Sequence, residues 1–524
     1  MTVSYDHLMS RTSFSASAVS AVIRDLLTPS LRQTRIKWLK AVTTLVSAQR
    51  PDLAGDLQLI LGVTPFESGH NPLAELTIGE VGVCYEALTA LSNATARKAA
   101  GQYFTPDDAA HFMAQQSVHF PMGVWMDPCC GVGNLAWHLA SVQDNPAEFV
   151  RDRLVLVDID QTALLSAVAL IGADFLAQDD IEGLRALRER AVCRDFLSRT
   201  ALPQHDFVIV NPPYVRTVVK PQFRTHASRE LFAYFLERIA TSSKGFISVT
   251  PASYLSAPKF RILREVINRC STGGLIYVFD NVPDTLFRGY KFGSSNTSNT
   301  NFVRAAVTVC SPMEVGWQIT PIIRWRSVSR SRIFSLAVEL LAPRNIGPAE
   351  EWVKLAPGLE DLWKRLTEAP TVLKDLVVKH KTDYSLTVGL TPRYYISAAF
   401  RDLERGSKAT LFFRTEWERD LAAVVLNSTI PYLWWRGLDG GVTLPRRVLM
   451  STPVPDFGNA KVVTDLAREL QVTEDRYITM KLNAGKQNEN VKRPREQIAR
   501  LNEAIIGRVP DLTMLYTEDM AAES

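Results

Sequence analysis

The run Phe207-Val-Ile-Val-Asn-Pro-Pro-Tyr214 constrains the fold more than any other stretch of the sequence. Four consecutive apolar residues starting at Phe207 read as a short buried strand that reaches Asn211 and stops at two prolines. Pro212 has no N–H, and the rings of Pro212 and Pro213 both restrict the backbone, so the chain leaves the strand stiffly after Asn211. An amide side chain, two carbonyls and an aromatic ring thus gather at the C-terminal end of a strand. In open α/β sheets that is where ligands bind. The amide oxygen of Asn211 and the carbonyl of Pro212 are acceptors that together can grip both protons of a planar amino group, and Tyr214 offers a face for stacking. The same four residues would also fit a proline-rich turn after a core strand, so their company decides.

A chain of 524 residues is too long for one ordinary core, and two or three domains are expected. Its apolar content of 46% and charged content of 22% are those of a globular protein. A net charge of +4 neither demands nor opposes a nucleic-acid partner. The cysteines at 84, 129, 130, 193, 270 and 310 show no CxxC or Cys/His ligand spacing and read as reduced, largely buried thiols of a cytoplasmic protein. No apolar run reaches the ~18–20 residues a membrane helix needs, and residues 1–14 lack a signal-peptide pattern.

In chain order, residues 1–92 read as helical: Val19–Leu27 and Ile36–Val46 repeat apolar residues at three- and four-residue intervals. The simplest reading is a helical cap on the next domain, with DNA contact or subunit docking as the alternative. In Gly101-Gln-Tyr103-Phe104-Thr105-Pro106, Thr105 can cap a helix whose first position is Pro106, with acids following. A short strand ends at Asp127-Pro128; Gly131 and Gly133 permit a tight turn, and a helix follows from Asn134. Leu154–Asp158 is an apolar strand ending in an acid, and a carboxylate there can accept both hydroxyls of a ribose. Asp195 and Phe196 follow a further short strand. Beyond Tyr214, Leu231–Ser243 reads as an amphipathic helix, and Gly245–Pro251, Leu275–Asp280 and Phe302–Cys310 as strands.

In this order the blocks resemble the gamma-class DNA adenine-N6 methyltransferases of restriction–modification systems, both type I and type II modification subunits. Asn211-Pro-Pro-Tyr214 resembles their motif IV, the GQYFTP block motif X, and Asp127-Pro-Cys-Cys-Gly-Val-Gly133 motif I; Asp158 and Asp195 stand where motifs II and III place their acids. Ile78–Leu88 is similar to the Gly…Tyr-Glu helix that precedes the cofactor domain in such subunits. The resemblance spans roughly residues 78–310 and implies a Rossmann-like α/β domain that binds S-adenosyl-L-methionine and needs no metal. Tyr103, Phe104, Thr105 and Pro106 would lie over the methionine end of the cofactor. Asp127, Pro128, Gly131 and Gly133 would form its loop, Asp158 would hold the ribose, and Ile159, Asp195 and Phe196 would hold the adenine. Asn211, Pro212, Pro213 and Tyr214 would be catalytic, with the target adenine stacked between Tyr214 and Phe287, unless Phe287 is instead a core residue closing the strand that begins at Leu275. Cys129 and Cys130 are small loop residues with no expected chemistry.

The expected domains are a helical region (1–92), a catalytic domain (93–312), a connecting segment (313–370) and an α+β region resembling a target-recognition domain, with a helical tail (371–524). Arg324, Trp325, Arg326, Arg330 and Arg332 form a basic stretch suited to phosphate contact or to a solvated face. In the last region Leu421–Ile430 resembles an Leu-Asn-Ser helix, followed by a Pro-rich edge at Thr452–Pro455; Trp434, Trp435, Gly440 and Gly441 could shape a DNA-facing loop, with burial in the core the commoner fate of tryptophan, and Lys492, Arg493 and Arg495 a solvated basic tail. The expected activity is site-specific methylation of a flipped adenine in double-stranded DNA, in restriction–modification or phage defence. Its alternatives are a protein-glutamine or RNA N-methyltransferase, because the motif can also hold a carboxamide, and a DNA-binding subunit with a decayed site. No PD…(D/E)xK-like cluster points to a fused nuclease, so a restriction or specificity subunit would be a separate chain.

Overall fold

The computed structural model describes residues 16–92, 105–287, 291–292, 295–296, 303–392, 394–483, 486–507 and 512. Tyr103 and Phe104 lie outside the described residues. The chain divides into two compact units, residues 1–319 with 323–339 and 521–524, and residues 320–322 with 340–520.

The first unit is built on strands β1 (Trp125–Asp127), β2 (Leu154–Asp158), β3 (Ala191–Cys193), β4 (Phe207–Val210), β5 (Gly245–Pro251) and β6 (Gly273–Phe279). Strand Ala305–Cys310 lies between β5 and β6, and seven of the sheet's nine strands run in the order β6, Ala305–Cys310, β5, β4, β1, β2, β3. Neighbours from β3 to β5 are parallel, whereas Ala305–Cys310 is antiparallel to both of its partners, with Thr308 opposite Ser248 and Ile276. Every residue of β1, β2, β4 and β6 is buried. That is why these strands read as unbroken apolar runs rather than alternating ones. The strand order reverses between β1 and β4, which opens a crevice at their C-terminal ends.

Helices Ala16–Leu26, Leu31–Gln49, Ala54–Leu61 and Ile78–Ser92 belong to this same unit. Trp38 is fully buried and donates from Nε1 to Ser166 Oγ at 3.0 Å on helix Gln161–Phe175. At that helix's C-terminal end Arg50 donates to the carbonyls of Ala173, Leu176 and Ala177, where a cation is favoured by the helix dipole. The N-terminal helices therefore cap the sheet domain. Among the thiols, Cys84, Cys130 and Cys310 are buried, but Cys193 and Cys270 are exposed, against the expectation of general burial.

Residues 313–370 contain strand Gly316–Ile323 and helices Ile333–Glu339 and Glu360–Thr367. The basic stretch within them corrects the phosphate-contact reading. Arg324 is buried with Nε 2.9 Å from Asp280, Trp325 is fully buried, and buried Arg330 forms a two-pronged pair with Asp108 at 2.6 and 3.0 Å. Arg326 and Arg332 are exposed.

The second unit holds a four-stranded antiparallel sheet in the order Val377–Val378, Lys408–Phe413, Tyr384–Gly389, Ala398–Ala399. Its expected Leu-Asn-Ser helix is two helices. Glu416–Leu426 ends before buried Asn427, whose side chain bonds the backbone of Ala398 in both directions, and Ile430–Leu438 restarts with Pro431 in its first turn. Trp434 and Trp435 are buried, and Trp434 stacks on Trp363 at 4.5 Å, so they form core rather than a DNA-facing loop. Pro453–Val454 pairs with Thr371–Val372. Arg493 is not solvated either: it is buried, with Nη1 on the Leu470 carbonyl at 2.8 Å and Nη2 3.3 Å from Glu474. Lys492 and Arg495 are exposed. No helix among the described residues is long and apolar enough to cross a membrane.

Candidate active site

A cavity of about 420 Å³ sits at the C-terminal ends of the central strands. Of the residues singled out from sequence it collects Thr105, Asp127, Pro128, Gly131, Asp158, Ile159, Asp195, Phe196, Asn211 and Pro213. Pro106, Gly133, Pro212, Tyr214 and Phe287 do not line it.

The loop after β1 closes on the acid that ends β2. Asp158 accepts Gly131 N–H at 2.8 Å through one oxygen and Asp160 N–H at 2.8 Å through the other. Gly131 holds φ +55° and Gly133 φ +98°, conformations that L side chains rarely adopt. A Cβ on Gly133 would also stand 3.0 Å from Ile171 Cδ1, so the glycine lets the loop pack on the neighbouring helix. Burial raises the Asp158 carboxyl. Burial also pushes Asp127 up to about 8, offset by the hydrogen bond from Cys129 N–H and reinforced by the nearby Asp158. Cys129 and Cys130 are raised well above the ordinary thiol range by burial and the adjacent acids, so both stay thiols.

Asp160 is the N-cap of helix Gln161–Phe175 and accepts Thr162 N–H. Its other oxygen receives Tyr85 Oη–H at 2.8 Å and Arg35 Nη2 at 2.5 Å, tying two N-terminal helices to the rim. Beyond β3, Asp195 caps its own turn by accepting Leu197 N–H at 2.9 Å, and Phe196 packs on Phe235. Ile159 is 73% exposed where it lines the cavity, an apolar surface open to a ligand.

Helix Asp107–Gln115 starts one residue later than expected, with Pro106 in the capping position and no side-chain cap. Thr105 is therefore not a cap. Its hydroxyl accepts Asn211 Nδ2 at 2.8 Å, and its carbonyl accepts Asn134 Nδ2 at 2.8 Å. The helix start is fixed by Asp107, which takes Thr77 Oγ1, Gly79 N–H and His138 Nε2 at 2.6–3.0 Å. Past Asn211, Tyr214 donates Oη–H to the Val249 carbonyl at 2.7 Å, anchoring the Pro-Pro-Tyr turn on β5.

The expected sandwich is not formed in this arrangement. Phe287 is 2% exposed and meets Tyr214 edge-on, with ring centres 5.8 Å apart and planes at 70°. A base between them would need parallel, separated faces.

Several lining residues had no site role assigned from sequence: Tyr85 and Glu86, noted only as the Tyr-Glu of a helix preceding the cofactor domain, and Thr89, Asn134, Arg194 and Lys220. Gly82, Tyr85, Glu86 and Thr89 are spaced three and four apart and form one face of helix Ile78–Ser92. That spacing was readable, but only a partner surface shows which face matters. Buried Asn134 Oδ1 has no hydrogen-bond partner among the described residues. A cofactor rich in polar groups fits such a lining: acids at two strand ends, an apolar shelf, and an acceptor awaiting a donor.

The sheet order and the cavity at its switch point define the class: an α/β methyltransferase fold of the S-adenosylmethionine-dependent type. Residues 77–233 match the family model for N-6 DNA methylases. No curated protein matches the chain. Among solved structures, it is similar to the chain in the DrdV–DNA complex (TM-score 0.40, 14% identity, covering 73% of this chain and 49% of that one). It is also similar to the type IIG restriction endonuclease BpuSI (TM-score 0.40, 12% identity, 98% and 79% covered). A third similar structure is a Vibrio vulnificus YJ016 protein assigned as the modification subunit of a type I restriction enzyme (TM-score 0.38, 10% identity, 66% and 98% covered). The chain spans about half the length of the DrdV chain.

Proposed function

We propose that this chain transfers a methyl group from S-adenosyl-L-methionine to N6 of an adenine flipped out of double-stranded DNA, within a restriction–modification or other phage-defence system. The observation that carries the reading is Asn211: it stands at the end of β4, lines the same cavity as Asp158 and Asp195, and is oriented by Thr105. With Nδ2 committed to the hydroxyl, the oxygen is the end of the amide that accepts an amino proton. The Pro212 carbonyl would accept a hydrogen bond from the second N–H, localising the nitrogen lone pair for in-line attack; loss of the methyl would leave the sulfur as a neutral thioether, and the nitrogen's surplus proton would pass to solvent. The cofactor, when bound, supplies the electrophilic methyl group. The chain's share is to hold the amino group, exclude water and align the two reactants, and proximity of this kind supplies much of a rate enhancement. Asp158 would hold the ribose; Asp195, Ile159 and Phe196 would hold the adenine of the cofactor. Tyr214 would stack on the base, and Phe287 could join it only after its ring turns.

The N-6 DNA methylase match favours DNA over a protein carboxamide or RNA. Recognition of a sequence by residues 371–524, and any separate restriction or specificity subunit, rest on the resemblance of those segments. The reading is tested by incubating the chain with methyl-labelled cofactor and unmethylated genomic DNA, then digesting to nucleosides. Label in N6-methyldeoxyadenosine is expected; label only in cytosine, RNA or protein would overturn the assignment.

A further inference from the structure

Helix Ile78–Ser92 is fixed before it reaches the cavity. Thr77 and Glu80 form a reciprocal cap, each backbone N–H bonding the other's side chain at 3.0 and 3.2 Å. Thr77 also donates to Asp107, so the cavity-facing stripe Gly82, Tyr85, Glu86, Thr89 is held in place. Within that stripe Tyr85 is satisfied by Asp160. Glu86 is not: among the described residues its carboxylate has no hydrogen bond and no ion pair. Burial alone pushes it up to about 7. A partly buried carboxylate with no donor is costly unless a cation arrives to pair with it.

We propose that Glu86 binds the α-ammonium group of S-adenosyl-L-methionine and so selects cofactors that carry an amino-acid end; this rests on the methyltransferase reading of the cavity. The sulfonium centre is the cofactor's other cationic group, but it has no N–H or O–H to donate, whereas an ammonium offers three donors. Asp127, another acid that lines the cavity, already accepts Cys129 N–H and lies 1% exposed. Asn134, another residue that lines the cavity, has a buried Oδ1 without a partner among the described residues.

The test is calorimetry on the full chain and its Glu86→Gln variant with three probes: S-adenosylmethionine, S-adenosylhomocysteine, and 5′-deoxy-5′-methylthioadenosine, which keeps the nucleoside and sulfur but lacks the amino-acid group. The variant should lose about 10- to 100-fold in affinity for the first two, the worth of a charge-assisted hydrogen bond, and stay within about twofold for the third. Unchanged affinity for all three would overturn the proposal. Equal weakening of all three would make Glu86 structural, and weakening of S-adenosylmethionine alone would assign it to the sulfonium. A parent chain that binds none of the probes would instead sink the methyltransferase reading. A melting temperature of the variant at or above the parent's at pH 8 shows that the substitution leaves the fold intact.

Discussion

Asn211 Nδ2 and Thr105 Oγ1 lie 2.8 Å apart, joining the turn after β4 to the start of helix Asp107–Gln115 across more than a hundred residues of sequence. The bond turns two separate motifs into one device: the amide at the strand end points where the threonine hydroxyl holds it. Thr105→Val keeps the shape but removes the acceptor. Single-turnover methyl transfer should slow by at least ~10-fold, Thr105→Ser should restore most of it, and cofactor affinity should change little. A valine variant as fast as the parent would mean that the amide needs no support.

Asp158→Ala removes the acid expected at the ribose and should weaken S-adenosylmethionine binding by ~1.5–3 kcal/mol, measured by calorimetry. The same carboxylate also accepts the Gly131 and Asp160 amides, so the variant should melt lower as well. Unaltered affinity would move the ribose elsewhere.

Much of this site was legible because its residues stand where strand periodicity stops. Asp127, Asp158 and Asn211 each end a fully buried strand, and that junction is visible in one sequence. What was not legible depended on contacts distant in sequence. Arg324 and Arg330 look like a basic surface until Asp280 and Asp108 are seen beside them, and Thr105 looks like a helix cap until Asn211 takes its hydroxyl. Trp434 and Trp435 follow the same rule, since only their packing on Trp363 and Tyr432 shows that they are core. Glu86 was visible only as the Glu of a Gly…Tyr-Glu helix, because its chemistry lies in what is missing around it.

Phe287 is buried against Tyr214, and cutting it to alanine should destabilise the first unit by ~3–5 kcal/mol in denaturant titration. If instead the melt is unchanged while 2-aminopurine at the target position no longer brightens, the ring acts on the flipped base rather than in the core.

Glu86 also predicts a pH signature in the cofactor-free protein. Its carboxyl is raised from 4.5 to about 7, so the folded chain holds that proton more tightly than the unfolded one. Stability from this group is therefore full below about 4.5, is lost as pH rises to about 7, and stays lost above it. Glu86→Gln escapes the loss and should be more stable than the parent by up to ~3 kcal/mol at pH 8, with the gain fading toward pH 4.5. A difference that does not vary with pH would show that the carboxyl is not displaced.

The central claim is that Asn211 holds the amino group that accepts the methyl. Its most direct test measures N6-methyldeoxyadenosine formed by the parent and by Asn211→Ala, at saturating cofactor and with cofactor affinity checked in parallel. Removing one preorganised hydrogen-bonding group from an active site costs about 100-fold or more. The variant should therefore bind S-adenosylmethionine like the parent and form product at least ~100-fold more slowly, whereas N6-methyldeoxyadenosine accumulating at the parent's rate would contradict the account.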